Sequence, residues 1–230
     1  MWIPDEIVDG IKSIEDFKAY AEVYKHAPLR LWSQDPSFSE IWKKIQGKTL
    51  VDYLRCYILY QASMSSQDVS GHVAEVGVYK GGTAYLFART LGNRKLHLFD
   101  TFSGMPEADP IKDLHRKGDF ADATFDDVKE FLKEFAGQVH FHPGFFLDTT
   151  RDLAEIWSLV HVDADIYRSV LDSAAYFWPK LATGGIMIFD DYGFPSCPGA
   201  KMAVDEYFSR IEKKVGIYLP TGQYFSLKLP

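Results

Sequence analysis

Residues 72–83 have the sequence HVAEVGVYKGGT, and this stretch decides the fold class. His72–Val76 is a short, largely apolar segment typical of a buried strand, and Thr83–Leu91 continues with the apolar spacing of a helix. Between them runs the pattern Gly-x-x-x-Gly-Gly, from Gly77 to Gly82, in which glycine allows a tight turn and a close approach of other groups to the backbone. A strand that leads through such a turn into a helix indicates a parallel α/β sheet.

The same alternation continues towards the C-terminus. Further strands are predicted at Lys95–Phe99, Val139–His142, Trp157–Val162, Ile186–Phe189, Ile217–Leu219 and Tyr224–Leu227, with helices at Asp126–Phe135, Tyr167–Leu181 and Ala200–Lys213. Thr221-Gly222, between the last two strands, is typical of a hairpin turn. The sequence therefore predicts an α/β fold with a mostly parallel, seven-stranded sheet, helices on both faces and an antiparallel strand at or near one edge.

Residues 1–65 differ from this pattern and are predicted to be helical. Ile14–Tyr24 has helical apolar spacing behind a weak cap at Ser13, and Thr49–Met64 has a clearer one. We expect residues 1–65 to form an N-terminal helical cap that belongs to the same domain as a core at 66–230. Two roles for this cap stay open, because it could simply cover one side of the domain or also form a wall of a substrate site.

Composition narrows the class of protein. The 230 residues carry a formal net charge of −7, which argues against general nucleic-acid binding and against docking on anionic membranes. No apolar run approaches the roughly 20 residues that a membrane span needs, and the N-terminus lacks the pattern of a secretory signal. The two cysteines, Cys56 and Cys197, indicate neither a disulfide framework nor a zinc site. We therefore expect a reduced, cytoplasmic setting.

Acidic residues and a glycine follow the ends of successive predicted strands, at Gly77, Asp100, Asp163, Asp190 and Asp191. The carboxyl ends of parallel strands lie at one edge of the sheet, where ligands bind. The carboxylates of Asp163, Asp190 and Asp191 would repel one another strongly there. Mg²⁺ or Ca²⁺, which prefer oxygen ligands, or Mn²⁺, would relieve that repulsion. The sequence thus favours a divalent metal site on these three aspartates.

Each acidic residue also has a simpler interpretation. Asp165 could cap the helix that begins at Tyr167, and Asp191 could stabilise a turn. Asp100 follows the glycine turn by about 20–25 residues, where an acid can accept hydrogen bonds from ribose hydroxyls. It could instead cap the turn at Ser103-Gly104. The glycine spacing itself differs from the Gly-x-Gly-x-x-Gly of dinucleotide-binding loops.

Five segments together resemble the macrocin O-methyltransferase family, metal-dependent enzymes best known for methylating sugar hydroxyls in antibiotic pathways. They are Glu75–Thr83, Phe99–Pro106, Gly118–Phe120, His142–Thr149, and His161–Tyr167 followed by Pro179–Leu181 through to Asp190–Gly193. The resemblance implies a Rossmann-like class I methyltransferase fold, with S-adenosylmethionine as cofactor and a small-molecule hydroxyl as acceptor. It also implies a homo-oligomer.

The resemblance further implies roles for individual residues. Asp163, Asp190 and Asp191 would hold the metal. The cofactor would lie against Glu75, Gly77, Gly81, Thr83, Asp100, Ser103 and Asp119. The first sixty-odd residues carry no resemblance, and since this region helps to build the acceptor pocket in the family, the identity of the acceptor is not implied.

Methyl transfer to an oxygen also needs a base and a closed site. Asp163 is the first candidate for the base, and Asp165 and His142 are weaker ones. The polar segment Gly104–Thr124, with Pro106 and Pro110, is long enough to predict a mobile lid that excludes water, or alternatively an irregular surface loop.

Three other functions stay open. A nicotinamide-dependent oxidoreductase on a similar sheet is disfavoured by the glycine spacing and by the three aspartates. A non-catalytic module that binds S-adenosylmethionine or a nucleotide is the alternative from a different functional class. Within the methyltransferases, a catechol or another phenol could replace the sugar as acceptor.

Overall fold

A computed structural model describes residues 31–151 and 153–230, together with Ser13, Glu15, Asp16 and Lys18. The chain divides into two compact units, Met1–Lys44 and Ile45–Pro230. The described part of the first unit contains a 3₁₀ turn at Leu31–Gln34 and most of helix α1, Pro36–Ile45. The helix predicted at Ile14–Tyr24 lies, for the most part, outside the described residues.

The second unit carries the sheet. Its helices are α2 (Tyr53–Ser65), α3 (Gly82–Thr90), α4 (Phe125–Phe131), α5 (Tyr167–Lys180) and α6 (Pro198–Phe208), and its strands are β1 (His72–Val76), β2 (Leu96–Asp100), β3 (Val139–Pro143), β4 (Trp157–Val162), β5 (Leu181–Phe189), β6 (Lys214–Tyr218) and β7 (Tyr224–Lys228). The strand order is β3-β2-β1-β4-β5-β7-β6. Strand β7 runs antiparallel to both of its neighbours, β5 and β6, and the other neighbouring strands of the described sheet are parallel. This arrangement confirms the predicted sheet. Within the described residues, no helix combines the length and the apolar character that a bilayer crossing requires.

Helices cover both faces of the sheet, as its strands require. Strand β4 is buried along its whole length, as expected for a parallel strand that packs on both sides. On one face, the ring of Phe87 from α3 lies 5.6 Å from the His161 ring of β4. On the other, Phe177 from α5 packs edge-on against Trp157 and Phe99, at 5.1 and 5.8 Å between ring centres. Because helices cover both faces of the sheet, a site for a ligand is left at the carboxyl ends of the strands.

Several element boundaries differ from the prediction. Strand β5 begins at Leu181, because this residue already pairs with Trp157 before a register irregularity that Gly184 accommodates with a φ of +80°. Helix α6 begins at Pro198, which fits the first turn of a helix because it has no backbone N–H to leave unpaired. Helix α4 ends at Phe131, and a 3₁₀ turn follows it, a common way of tightening a helix terminus.

Helix N-caps fix two further boundaries. The helix predicted at Thr49–Met64 begins at Tyr53, because the Asp52 carboxylate accepts hydrogen bonds from the backbone N–H groups of Leu54 and Arg55 at 2.9 and 3.1 Å. Thr124 caps helix α4, since its hydroxyl accepts from the Asp127 N–H at 3.2 Å.

Candidate active site

A cavity of about 300 Å³ opens beyond the carboxyl ends of β1, β2, β4 and β5. Its polar lining includes Asp100, Asp163, Asp165, Asp191 and Arg55, and its apolar lining includes Val78, Phe102, Met105, Phe145 and Phe194. The predicted edge of the sheet is therefore the place where the acidic residues meet a space large enough for a small ligand.

Gly77 brings the ends of three strands into contact. Its φ is +85°, and a Cβ at this position would overlap the carbonyl oxygen of Asp163. The Gly77 N–H donates to the Phe99 carbonyl of β2 at 3.0 Å, and the Asp163 N–H donates to the Val76 carbonyl of β1 at 2.8 Å. Only glycine fits here, because the backbone leading to Asp163 passes directly over it.

The Asp100 carboxylate braces the glycine turn from the neighbouring strand. One oxygen accepts from the backbone N–H groups of Val78 and Tyr79 at 2.7 and 3.0 Å, and the other accepts from the Phe102 N–H at 2.7 Å. The turn-capping interpretation of Asp100 is thus realised in the structure. Its carboxylate also lines the cavity, so the predicted contact with a ribose stays a prediction.

The carboxylates of Asp163, Asp190 and Asp191 form a cluster in which each offers an oxygen within 4.8 Å of the others. Asp190 is fully buried and accepts hydrogen bonds from the Arg55 guanidinium and, at 2.8 Å, from the Gln223 amide. The Asp191 carboxylate accepts from a backbone group, the Asp165 N–H, at 3.0 Å. Charge compensation is therefore concentrated on Asp190.

A buried histidine links this cluster to the sheet. His161 lies between Glu75, 2.9 Å from Nδ1, and Asp190, 3.5 Å from Nε2, and all three side chains are excluded from solvent. Burial alone would lower the pKa of His161, but the hydrogen bonds to Asp190 and Glu75 outweigh it and raise the pKa to about 10. His161 is therefore an imidazolium at neutral pH.

The remaining carboxylates lack such compensation. Burial, followed by the charge of Asp190, raises the pKa of Asp163 well above its usual range, and burial, followed by repulsion from Asp165 and Asp163, does the same for Asp191. For Asp190, burial is outweighed by His161 and Arg55, and the pKa is lowered. A cluster of hard oxygen donors with excess negative charge fits a divalent cation such as Mg²⁺.

A second group of side chains stands beside this cluster. His115 Nε2 is 3.7 Å from Asp165 Oδ1, and the Cys197 thiol donates to the same oxygen at 3.4 Å. His115 Nδ1 is 3.2 Å from Asp119 Oδ2. Burial raises the pKa of the Cys197 thiol, so it stays protonated and acts as a donor. Asp165 has a φ of +56°, an uncommon value for a residue with a side chain.

The whole arrangement matches a known family. The sequence profile of the family described as "Macrocin-O-methyltransferase (TylF)" matches residues 38–218. The chain belongs to the macrocin O-methyltransferase family. This finding confirms the resemblance predicted from the sequence, and the match covers the glycine turn and both groups of acidic residues.

Relatives of this chain carry the names of O-methyltransferases that act on natural products. The demethyldecarbamoylnovobiocin O-methyltransferase of Streptomyces niveus is 30% identical over 161 residues, 63% of this chain and 61% of the relative, so the match spans less than two thirds of that enzyme. A tetracenomycin-C rhamnosyl 4'-O-methyltransferase of Streptomyces olivaceus is 30% identical over 217 residues, 82% of this chain and 80% of the relative. The solved structure of the O-methyltransferase NovP superposes with a TM-score of 0.70 at 26% identity and covers 80% of this chain and 83% of that one.

The residues assigned through the macrocin O-methyltransferase resemblance fall into two groups. Gly77, Thr83, Asp100, Asp163, Asp165 and Asp191 line the cavity, with Asp190 buried behind them. Among the described residues, the cavity lining does not include Glu75, Gly81, Ser103, Asp119 or His142. Glu75 faces His161 inside the sheet, and His142 Nε2 lies 3.0 Å from His97 Nδ1, on strands β3 and β2. The structure thus brings Asp165, but not His142, to the cavity.

Sequence reasoning missed three residues that this member of the family places at its site. Arg55, His115 and Cys197 all line the cavity. Arg55 carried a usable signal, because it is the one basic residue of helix α2, whose apolar positions pack inwards. His115 stands four residues before Asp119, a spacing that can bring the two side chains together, but it lies in an irregular segment, where spacing alone predicts no geometry.

Proposed function

We propose that this chain is an O-methyltransferase that transfers the methyl group of S-adenosylmethionine to a hydroxyl of a glycosylated natural product, with a divalent metal on Asp163, Asp190 and Asp191. The observation that carries the proposal is the junction at Gly77. There the glycine turn, which would face the cofactor, meets the backbone of Asp163, which would bind the metal. The turn that would hold the methyl donor and two of the aspartates that would hold the metal, Asp163 and Asp191, therefore line one cavity.

Different residues of the chain would bind the cofactor and the cation. The glycine turn, braced by Asp100, would hold the cofactor. Asp163 and Asp191, whose oxygens lie within 4.8 Å of each other and of Asp190, would bind the cation from one side. A bound Mg²⁺ would act as a Lewis acid that lowers the pKa of the acceptor hydroxyl, and Mn²⁺ or Ca²⁺ could take its place.

Arg55 and His161 would keep Asp190 ionised and fixed. Both are cationic and both face its carboxylate. Ligands that are held in place before the reaction supply much of the rate of a transfer that depends on alignment. Asp165, the cavity-lining member of the predicted bases, lies beside this cluster and supports a role in taking up the acceptor's proton.

We also propose that residues 104–124 act as the predicted lid. Gly104, Met105, Pro106, His115, Phe120 and Ala123 line the cavity. The segment is anchored at both ends, since the Thr101 hydroxyl donates to the Gly104 carbonyl at 2.6 Å and Asp122 accepts from the Tyr79 hydroxyl at 3.0 Å. Limited proteolysis with and without S-adenosylmethionine tests closure, and cleavage in this segment that the cofactor leaves unchanged would count against it.

Calorimetry tests the cofactor and the metal separately. We expect the purified chain to bind S-adenosylmethionine, and we expect turnover to need a divalent cation that EDTA removes and Mg²⁺ restores. A chain that binds no S-adenosylmethionine would refute the proposed enzyme. Turnover that is equal in EDTA and in Mg²⁺ would refute the metal-assisted mechanism and leave the methyltransferase proposal in place.

The acceptor needs a panel of compounds. The name of the tetracenomycin relative supports a sugar hydroxyl, so the first probes are a rhamnosylated tetracenomycin and demethyldecarbamoylnovobiocin. The aromatic rings of Phe102, Phe145 and Phe194 in the cavity lining also suit a flat acceptor, so catechols form the second arm. Methyl transfer to catechols alone would identify a phenol, and not a sugar, as the acceptor.

The quaternary structure and compartment stay predictions. We propose a homo-oligomer that works in the cytoplasm on a small-molecule acceptor, without nucleic acid or membrane. Light scattering after size exclusion measures the first point directly, and a monomer at micromolar concentration would contradict it.

A further inference from the structure

His115 stands at the centre of a row of three ionisable groups. Its Nδ1 is 3.2 Å from Asp119 Oδ2, and its Nε2 is 3.7 Å from Asp165 Oδ1. The ring also packs against Phe120, with 5.4 Å between ring centres. Both imidazole nitrogens therefore face a carboxylate, and the ring is held in this orientation.

The row leads from the cavity to solvent. The side chains of Asp165 and His115 are 20% and 19% exposed, whereas the side chain of Asp119 is 42% exposed. Asp165 and His115 line the cavity, and Asp119 lies on the outer side. His115 therefore connects the cavity to a carboxylate that is exposed to bulk water.

The neighbouring contacts fix the direction of the hydrogen bonds. Asp119 Oδ2 already accepts from the Arg116 N–H at 2.9 Å, which holds this oxygen towards the ring. The Nδ1–Asp119 distance of 3.2 Å is that of a hydrogen bond and the Nε2–Asp165 distance of 3.7 Å is not, so the neutral ring carries its proton on Nδ1 and donates it to Asp119. The Nε2 lone pair then faces Asp165 and the Cys197 sulfur, which lies 3.6 Å away. The Cys197 thiol donates to Asp165 Oδ1 at 3.4 Å and steadies that end.

We propose, resting on the function proposed above, that His115 conducts the acceptor's proton out of the site. Methyl transfer forms the oxygen–carbon bond and breaks the carbon–sulfur bond, whose electron pair stays on sulfur. The hydroxyl proton leaves through Asp165 to His115 Nε2. The proton on Nδ1 passes to Asp119 and from there to water, after which the ring returns to its starting tautomer. The separation of 3.7 Å is longer than a hydrogen bond, and such contacts commonly shorten when the substrate binds.

The first test separates proton transfer from lid packing by kinetics. His115→Gln should lower kcat by about 10²-fold, the scale of a lost acid–base group, while KM for S-adenosylmethionine stays within twofold. His115→Ala should lose kcat similarly, and added imidazole should restore part of it. The acceptor is the most active compound of the panel described above. A His115→Gln enzyme with wild-type kcat would overturn the proposal.

Two control variants isolate the imidazole. Asp113→Ala removes a lid contact without altering His115, because it deletes the Oδ1 that accepts from the Tyr167 N–H at 2.8 Å. We expect this variant to have a higher KM for S-adenosylmethionine and a kcat that added imidazole does not change. His140→Gln removes an exposed histidine of β3 that lies outside the cavity lining and should leave kcat unchanged. If added imidazole does not restore the kcat of His115→Ala, and its KM changes as it does in Asp113→Ala, His115 has a structural role only.

A second test needs no turnover. Long-range ¹H–¹⁵N spectra of ¹⁵N-histidine-labelled protein report the tautomer of each of the seven histidines, and His115→Gln identifies the signal. We expect a proton on Nδ1 in the wild type and a population shift towards Nε2–H in Asp119→Asn. An Nε2–H tautomer that Asp119→Asn leaves unchanged would overturn the relay. A wild-type enzyme that methylates no acceptor would instead refute the proposed function, which these spectra do not measure.

Discussion

Asp191→Asn should make the metal-free protein more stable while abolishing its response to Mg²⁺. Asp191 is 7% exposed, and burial together with the charges of Asp165, Asp163 and Asp190 raises its pKa well above the usual range. The native fold therefore disfavours its ionised form. An asparagine removes that charge and keeps a carbonyl oxygen that can still accept from the Asp165 N–H.

The size of the effect follows from the distances. Two carboxylates 4.8 Å apart repel by about 3.5 kcal/mol at an effective dielectric constant of about 20. Protonation limits this cost, because a group whose folded pKa is raised stabilises the fold below its unfolded pKa and loses that contribution as pH rises through the folded value. The gap between variant and wild type should therefore widen above pH ~4, by at most about 1.4 kcal/mol per pH unit. We expect about 2 kcal/mol at pH 7, or roughly 4–8 °C in Tm.

Thermal unfolding in EDTA and in Mg²⁺ measures both halves of this prediction. A saturating cation at about 100 times its Kd should stabilise the wild type by about 2.7 kcal/mol and leave Asp191→Asn unchanged. Asp148→Asn, at an exposed aspartate paired with Arg151, serves as the matched control and should behave like the wild type. A variant less stable than the wild type in EDTA, or one still stabilised by Mg²⁺, would show that the electrostatic reasoning is wrong.

Three further perturbations test other parts of the structure. Gly77→Ala should lower the free energy of unfolding, measured in urea, by about 3 kcal/mol or more. The added Cβ would overlap the Asp163 carbonyl, and the φ of +85° disfavours a side chain. A change below about 1 kcal/mol would contradict this close approach. Burial, reinforced by the neighbouring histidines, lowers the pKa of His97 to about 3. The contribution of His97 to the free energy of unfolding is therefore complete above pH ~6.5 and declines by up to about 1.4 kcal/mol per pH unit below it. His97→Phe should reduce this dependence of the unfolding free energy on pH between about pH 6 and 4.5 in the same urea assay. Arg55→Met should destabilise the metal-free protein by about 3–5 kcal/mol, since it leaves Asp190 without its guanidinium partner, and equal stability in EDTA would show that this pair contributes little.

The carboxyl ends of β1, β4 and β5 lie where the apolar pattern predicts them, whereas β6 is predicted at Ile217–Leu219 and lies at Lys214–Tyr218. An apolar strand followed by glycine or aspartate indicates both the element and the edge of the sheet, and β4 begins and ends at the predicted residues. The cluster of Asp163, Asp190 and Asp191 followed from the same reasoning, because neighbouring parallel strands place their carboxyl ends together. These parts of the site are fixed by regular backbone geometry, to which the sequence pattern responds directly.

The rest of the site depends on side chains from irregular or distant segments. Arg55 reaches Asp190 across 135 residues of sequence, and His115 reaches Asp165 from a segment with no helical or strand periodicity. Glu75 looked like a cofactor contact because it precedes the glycine turn, yet strand alternation points it into the sheet towards His161. Such pairings arise from tertiary packing, which spacing within one sequence does not specify.

The backbone contact between Gly77 and Asp163 fixes the distance between two parts of the proposed site. The turn proposed for the methyl donor and the strand proposed for the metal are joined through main-chain atoms, so substitutions in the surrounding side chains cannot easily change the distance between them. The segment 104–124 contributes several side chains to the cavity wall, and none of them takes part in that contact. Selection can therefore alter the acceptor through the loops without resetting the reaction geometry, which suits a family whose named relatives differ in the molecule they methylate.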